Sequence, residues 1–293
     1  MNKPQEYVFL IGAARSGTKF LRDILAESSH LRTVPFDVNY VWRYGQESRP
    51  DDMIPREAAN DKGRRFIGRT LDAMARHPGG SKGKGAILEK TVSNVLRVPY
   101  IHALFPGAHF IHLIRDGRDV AESVARMWVA PLDYKYLFRK LRYFPLRNLS
   151  YAVWFLKNQL AARTRNDNRI SIWGPRYPGI EQDAIKLSIL EVAAHQWVWS
   201  IKSATNGLAE VPAFQQVSIR YEDLISNVES LEPIFDMLKL EDRSQVRDAY
   251  QKQVRRGLGG RWRNFSNTEQ SRLYDIETEI LTKLGYIKMA EQS

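Results

Sequence analysis

Tyr7–Ile11 is an unbroken apolar run that ends at Gly12, the pattern of a short strand buried on both faces. From Gly17 to about Ser28 the spacing changes. Phe20, Leu21, Ile24 and Leu25 fall on one side of a 3.6-residue period and predict an amphipathic helix. The alternation continues along the chain. Leu31–Phe36, Gly85–Leu88, His109–Ile114 and Phe214–Arg220 read as further strands. Helices are predicted around Arg64–Arg76, Ser93–Phe105 and Asp116–Met127. Strands that alternate with helices predict an α/β fold of three layers, a central parallel sheet covered by helices on both faces. No internal repeat is apparent, and the 293 residues are read as a single domain.

The alternation is interrupted over 131–210. Within it, Tyr134–Arg176 carries ten Lys/Arg, nine aromatics and one acid, Asp167. This region is expected to be a helical insertion that shapes a binding site, with a solvated helical pair on the sheet as the plain alternative. Elsewhere composition mainly excludes. Hydrophobic residues make up 43%, too many for a disordered chain. The absence of cysteine excludes a disulfide scaffold and thiolate chemistry and points to a reducing compartment. The six histidines are scattered without ligand spacing, so no metal is expected. No charged leader with a long apolar stretch and no 18-residue apolar segment occurs, which predicts a cytoplasmic protein. The net charge of +11 suits nucleic acid, an acidic surface or an anionic substrate, and does not choose among them.

Three segments carry chemistry. In FLIGAARSGTKFL, Gly12 and Gly17 bracket four residues between a strand and a helix. Such a loop turns backbone N–H groups and the positive end of a helix toward an anion. Arg15, Ser16, Thr18 and Lys19 add charge and hydroxyl donors. The nucleotide triphosphatase loop is the obvious rival, but it ends in Lys followed by Ser/Thr, whereas this chain has Thr18-Lys19. A plain strand-to-helix turn is the third reading. In HFIHLIRDGRDVAESVARMW, Arg115 stands at the C-terminal end of a strand, where ligands of open α/β sheets bind, and Ser123 lies eight residues on. Alternatively Arg115 pairs with Asp116 or Asp119 and Ser123 is a surface position. In RRGLGGRWRNF, Arg255, Arg256 and Gly257 put guanidinium forks on flexible backbone, which suits clamping a phosphate as well as it suits a solvated basic loop.

In this order the segments resemble the sulfotransferases that use 3′-phosphoadenosine-5′-phosphosulfate (PAPS) and release 3′-phosphoadenosine-5′-phosphate (PAP). The resemblance covers roughly residues 7–127 and 214–265. It implies a fold like that of P-loop nucleotide kinases. It implies that Arg15, Ser16, Gly17, Thr18, Lys19 and Phe20 form the 5′-phosphosulfate loop and that Arg115 and Ser123 hold the 3′-phosphate. Arg255, Arg256, Gly257, Gly260, Trp262, Arg263 and Asn264 match the family's late glycine-rich element. Tyr221, in Arg220-Tyr221-Glu222-Asp223, matches a position beside the adenine, as does Phe20.

Sulfuryl transfer, like phosphoryl transfer, is an in-line displacement governed by positioning and charge. Arg15, Lys19 and Lys90 are the cations expected to meet the leaving phosphate. Lys90 follows a strand in Leu88-Glu89-Lys90-Thr91, where the family often places a lysine; an exposed lysine is the alternative. The family's cytosolic branch carries a His two residues later, where this chain has Val92. Other branches place an acid after the second strand, so Asp37 is the expected general base, with Glu89 second and a helix cap or ion pair as the plain role of either. The stretch 134–176 suits a saccharide-containing or lipid-linked acceptor, and equally a peripheral contact with an anionic membrane through Trp154, Phe155, Lys157 and Arg163. A P-loop kinase and a non-catalytic polyanion or nucleic-acid binder are the rival classes; nucleic acid is not the expected partner.

Overall fold

The computed structural model describes residues 5–76, 83–128, 173–257 and 259–288. The basic, aromatic residues 134–172 and the insertion residues 131–172 therefore lie outside the described residues. The elements run β1 (Tyr7–Ile11), α1 (Thr18–Leu25), β2 (Leu31–Thr33), α2 (Asn39–Trp42), α3 (Asp61–Ala75), β3 (Ala86–Glu89), α4 (Val98–Leu104), β4 (His109–Ile114) and α5 (Gly117–Trp128). They continue with α6 (Ile180–Lys186), α7 (Ile189–Leu208), β5 (Gln216–Arg220), α8 (Tyr221–Ser226), α9 (Glu232–Leu238), α10 (Arg243–Gln253) and α11 (Asn267–Lys283).

The strands form one sheet in the order β2-β3-β1-β4-β5, and every pairing is parallel. Alternation along β1 explains the layers. Val8 and Leu10 pack with α1, α9 and α10, whereas Phe9 and Ile11 pack with α3, α4, α5 and α7. A strand buried on both faces must read as continuously apolar, which is why Tyr7–Ile11 was legible. The fold is the three-layer, P-loop-like α/β architecture.

Element ends differ from the sequence reading for local reasons. Strand β2 stops at Thr33 because, after Val34 N–H donates to the Leu88 carbonyl (2.9 Å), Pro35 has no N–H to offer. The stretch 93–105 is not one helix. A 3₁₀ turn over Val92–Leu96 ends at Arg97, and Pro99 lies in the first turn of the new helix α4. Helix α3 begins at Asp61, ahead of the expected Arg64, because Asn60 accepts from Gly63 N–H at 2.9 Å and caps it. Helix α1 ends at Leu25. The following Ser28 and Ser29 donate to Asp242 (2.8 and 2.6 Å), fixing the turn into β2. Of the described part of 131–210, α7 packs on α5 and α11. No helix among the described residues is long and apolar enough to cross a membrane.

Candidate active site

Parallel pairing brings the C-terminal ends of all five strands to one edge, and the segments singled out above meet there. The loop after β1 is built for close approach. A Cβ on Gly12 would lie 2.6 Å from the Leu113 carbonyl oxygen. Gly17 has φ +95°, and a Cβ there would lie 2.5 Å from the Tyr221 ring. Only glycine satisfies both the left-handed backbone and the ring. Arg15 also has a positive φ, 66°. Ser16 is buried and donates to the Ala13 carbonyl (2.6 Å), closing the loop from inside. The first-turn N–H groups of α1 have no partner within the helix and point out of its N-terminus into this loop.

The second segment docks on the first. Arg115 Nη1 donates to the Arg15 carbonyl oxygen (3.0 Å), and Arg15 Nε donates to Ser123 Oγ (3.0 Å). The Arg115 guanidinium lies 4.3 Å from the centre of the Tyr221 ring, which also backs Gly17. Asp116 is bound by Arg118 (2.6 Å), and the charge of Arg115 reaches Asp119. Burial lowers the Arg15 pKa, and the neighbouring charges of Arg126 and Arg115 lower it further against an opposing pull from Glu122. A cluster in which guanidinium groups repel one another is stabilised by any anion that enters it.

The third segment reaches the same place along α5. Asp119 Oδ1 accepts from Gly260 N–H (2.7 Å), and a Cβ on Gly259 would lie 2.9 Å from the other Asp119 oxygen. Trp262 is buried beneath the Arg118 guanidinium, 4.2 Å from its ring centre. These contacts fasten the loop to the helix that carries Ser123. Arg255, Arg256 and Gly257 are exposed, with Gly257 at φ +74°. Phe20 is half-buried, 6.1 Å from the Tyr250 ring. Thr18 is buried. Lys19 is not drawn into the group: its side chain is 76% exposed and pairs with Asp23 at 2.6 Å, one helical turn on.

A second group forms at the ends of β2 and β3. Lys90 Nζ contacts Asp37 Oδ1 at 2.6 Å. Val38 N–H donates to Thr91 Oγ1 (2.8 Å), and Thr91 in turn donates to Glu89. Glu89 is fully buried and also accepts from Asn94 Nδ2 (2.8 Å). Burial, opposed by the Thr91 hydrogen bond and aided by the charge of Asp37, pushes its pKa up to about 7. Both Glu89 oxygens are thus occupied inside the protein, whereas Asp37 keeps 28% of its side chain open. Behind them, Asp52 accepts from Asn39, Arg43, Ser93 and the Arg176 backbone. Burial raises its pKa, but Arg97 and these hydrogen bonds outweigh it and hold the carboxyl below the ordinary range.

Further residues brace the site. Trp197 Nε1 donates to the Arg115 carbonyl (3.1 Å) and fixes the backbone there. Glu222, in the middle of the Tyr-Glu-Asp motif, accepts from Asp116 N–H (3.1 Å) and Tyr286 OH (2.8 Å), joining the turn after β4 and the segment after α11 to α8. Among the described residues no cluster of three or more His, Asp or Glu could hold a metal ion.

Comparison with solved structures finds the same fold. A sulfotransferase domain from the curacin biosynthetic pathway matches with a TM-score of 0.50 at 16% identity, covering 99% of this chain and all of that one. A sulfotransferase from Mycobacterium avium matches with a TM-score of 0.52 at 12% identity, covering 96% of this chain and 77% of that one. A sulfotransferase from Alicyclobacillus acidocaldarius matches with a TM-score of 0.50 at 16% identity, covering 97% and 96%. No curated protein sequence matches significantly. The model of the sulfotransferase family matches residues 7–165, more than half of the chain and the whole stretch from β1 through Ser123. The chain belongs to the sulfotransferase family.

Proposed function

We propose that this enzyme moves a sulfuryl group from PAPS to an acceptor hydroxyl or amine, in line, with Asp37 as general base. The observation that carries the reading is the joining of the loop after β1 to the Arg115–Ser123 pair through the Arg15–Ser123 hydrogen bond of 3.0 Å. One anion at the N-terminus of α1 and a second beside Arg115 and Ser123 match a nucleotide with phosphates at both the 5′ and 3′ positions. Tyr221 and Phe20 supply aromatic surface for its base. Arg255, Arg256 and Gly257 close over the 3′-phosphate from the loop fastened to α5.

In the transfer, the acceptor oxygen or nitrogen bonds to sulfur as the bond from sulfur to the bridging oxygen breaks, and the electron pair stays on the 5′-phosphate. Lys90 and Arg15 stabilise that charge. Asp37, the more open of the two carboxylates, takes the acceptor's proton; Glu89 holds the Thr91–Val38 tie behind it. Lys19 contributes only if it leaves Asp23. The basic, aromatic composition of 134–176 supports a saccharide-containing or lipid-linked acceptor, with 131–210 shaping its site within a single domain.

The test is conversion of PAPS to PAP with a panel of saccharide, lipid-linked and small-molecule acceptors. Asp37→Asn should lower turnover by about a hundredfold or more while still binding PAP, a loss typical of a general base. Near-normal turnover in that variant removes Asp37 as base.

A further inference from the structure

We infer that Lys90 and Asp37 exchange partners when the donor binds, so that the donor itself unmasks the base. The inference rests on the donor and base reading above. The gap between the two residues is built by the sheet. Thr33 is in register with Leu88, and Val34 N–H donates to the Leu88 carbonyl at 2.9 Å. Past the strand ends, Val38 N–H donates to Thr91 Oγ1 at 2.8 Å. Asp37 and Lys90, each adjacent to one end of that bond, then face each other at 2.6 Å. The Lys90 side chain is only 9% exposed and that of Asp37 28%, so water screens the pair poorly.

In this pairing neither residue can do its work. The Asp37 Oδ1 that holds the Lys90 ammonium is closed to an acceptor's proton, and an ammonium turned to a carboxylate is not turned to a leaving phosphate. The donor's 5′-phosphate end competes for Lys90 because it carries more charge than a carboxylate and offers several acceptor oxygens. Once Lys90 turns to it, the Asp37 oxygen that Lys90 held at 2.6 Å is open to the acceptor's proton at the moment an acceptor is needed. The exchange makes the competent state depend on the donor arriving before the acceptor. It also means that part of the donor's binding energy goes into breaking the ion pair.

The exchange is tested by a double-mutant cycle on PAP affinity, measured by calorimetry for the parent, Asp37→Asn, Lys90→Met and the double variant. Asp37→Asn should tighten PAP by about fivefold, the scale of a partly exposed ion pair that no longer competes. Lys90→Met should weaken PAP, and adding Asp37→Asn to it should then change affinity by less than about twofold. Equal tightening by Asp37→Asn in both backgrounds shows plain charge repulsion and overturns the exchange. No tightening by Asp37→Asn in the parent, where Lys90 is present, overturns it as well. A parent that does not bind PAP overturns the donor reading itself, which separates the two failures. Thermal unfolding of each variant checks folding, and Asp37→Ser replaces Asp37→Asn if the latter is unstable.

Discussion

Replacing Glu89 with Gln should flatten the pH dependence of stability. In the folded chain the Glu89 pKa lies at about 7, against an ordinary value of 4.5. Between those values the folded protein keeps a proton that the unfolded chain has released. Stability therefore falls as pH rises through this window, and the whole penalty applies above about 7. A difference of about 2.5 pKa units corresponds to about 3 kcal/mol. Gln cannot ionise, so the stability of Glu89→Gln minus that of the parent should grow by about 3 kcal/mol from pH 4.5 to pH 8. Urea denaturation at closely spaced pH values measures this, with two-state fits checked by a second probe. The charge of Asp37 is among the causes that raise Glu89, so Asp37→Asn should narrow the window. Parent and Glu89→Gln curves that run parallel across the range would refute the assignment of a buried, proton-holding Glu89.

Two further outcomes follow from the site's packing. Gly17→Ala forces a left-handed residue to carry a Cβ, a strain of about 1–2 kcal/mol, and drives it against Tyr221, so PAP affinity measured by calorimetry should fall at least about tenfold. Glu277 is almost completely buried, and neither of its oxygens has a hydrogen-bond partner among the described residues. Burial above all, with the charge of Asp116 and against that of Arg118, raises its pKa well above the ordinary value. Glu277→Gln should accordingly raise the melting temperature at neutral and alkaline pH and gain less in acid, as read from thermal scans at several pH values.

The parts of the molecule that were legible in the sequence are those whose cause is local. The apolar run of β1, its ending at Gly12 and the helical spacing after Gly17 each follow from neighbouring residues, and all appear in the structure. The short β2 and the split at Arg97 follow from Pro35, which lacks an N–H, and Pro99, which sits in a first helical turn, and both override the apolar spacing. The site divides in the same way. The glycine loop and the Arg115–Ser123 offset announce themselves, and their convergence follows once the sheet is parallel. The braces do not: Asp119 meets Gly260, Glu222 meets Asp116 and Trp197 meets Arg115 across long separations in sequence, and no spacing rule reports them. The Lys19–Asp23 pair, by contrast, follows from i,i+4 spacing on α1, whereas the hold of Asp37 on Lys90 depends on which acidic partner the fold places nearest.

The central claim is that the loop after β1 and the Arg115–Ser123 pair together hold a nucleotide with phosphates at both ends. Calorimetric titration with PAP, with adenosine-5′-phosphate and ATP–Mg²⁺ as controls, tests it most directly. The account predicts tight binding that requires the 3′-phosphate and is lost in Arg115→Ala. Equal binding of PAP and adenosine-5′-phosphate, or a preference for ATP–Mg²⁺, would contradict it.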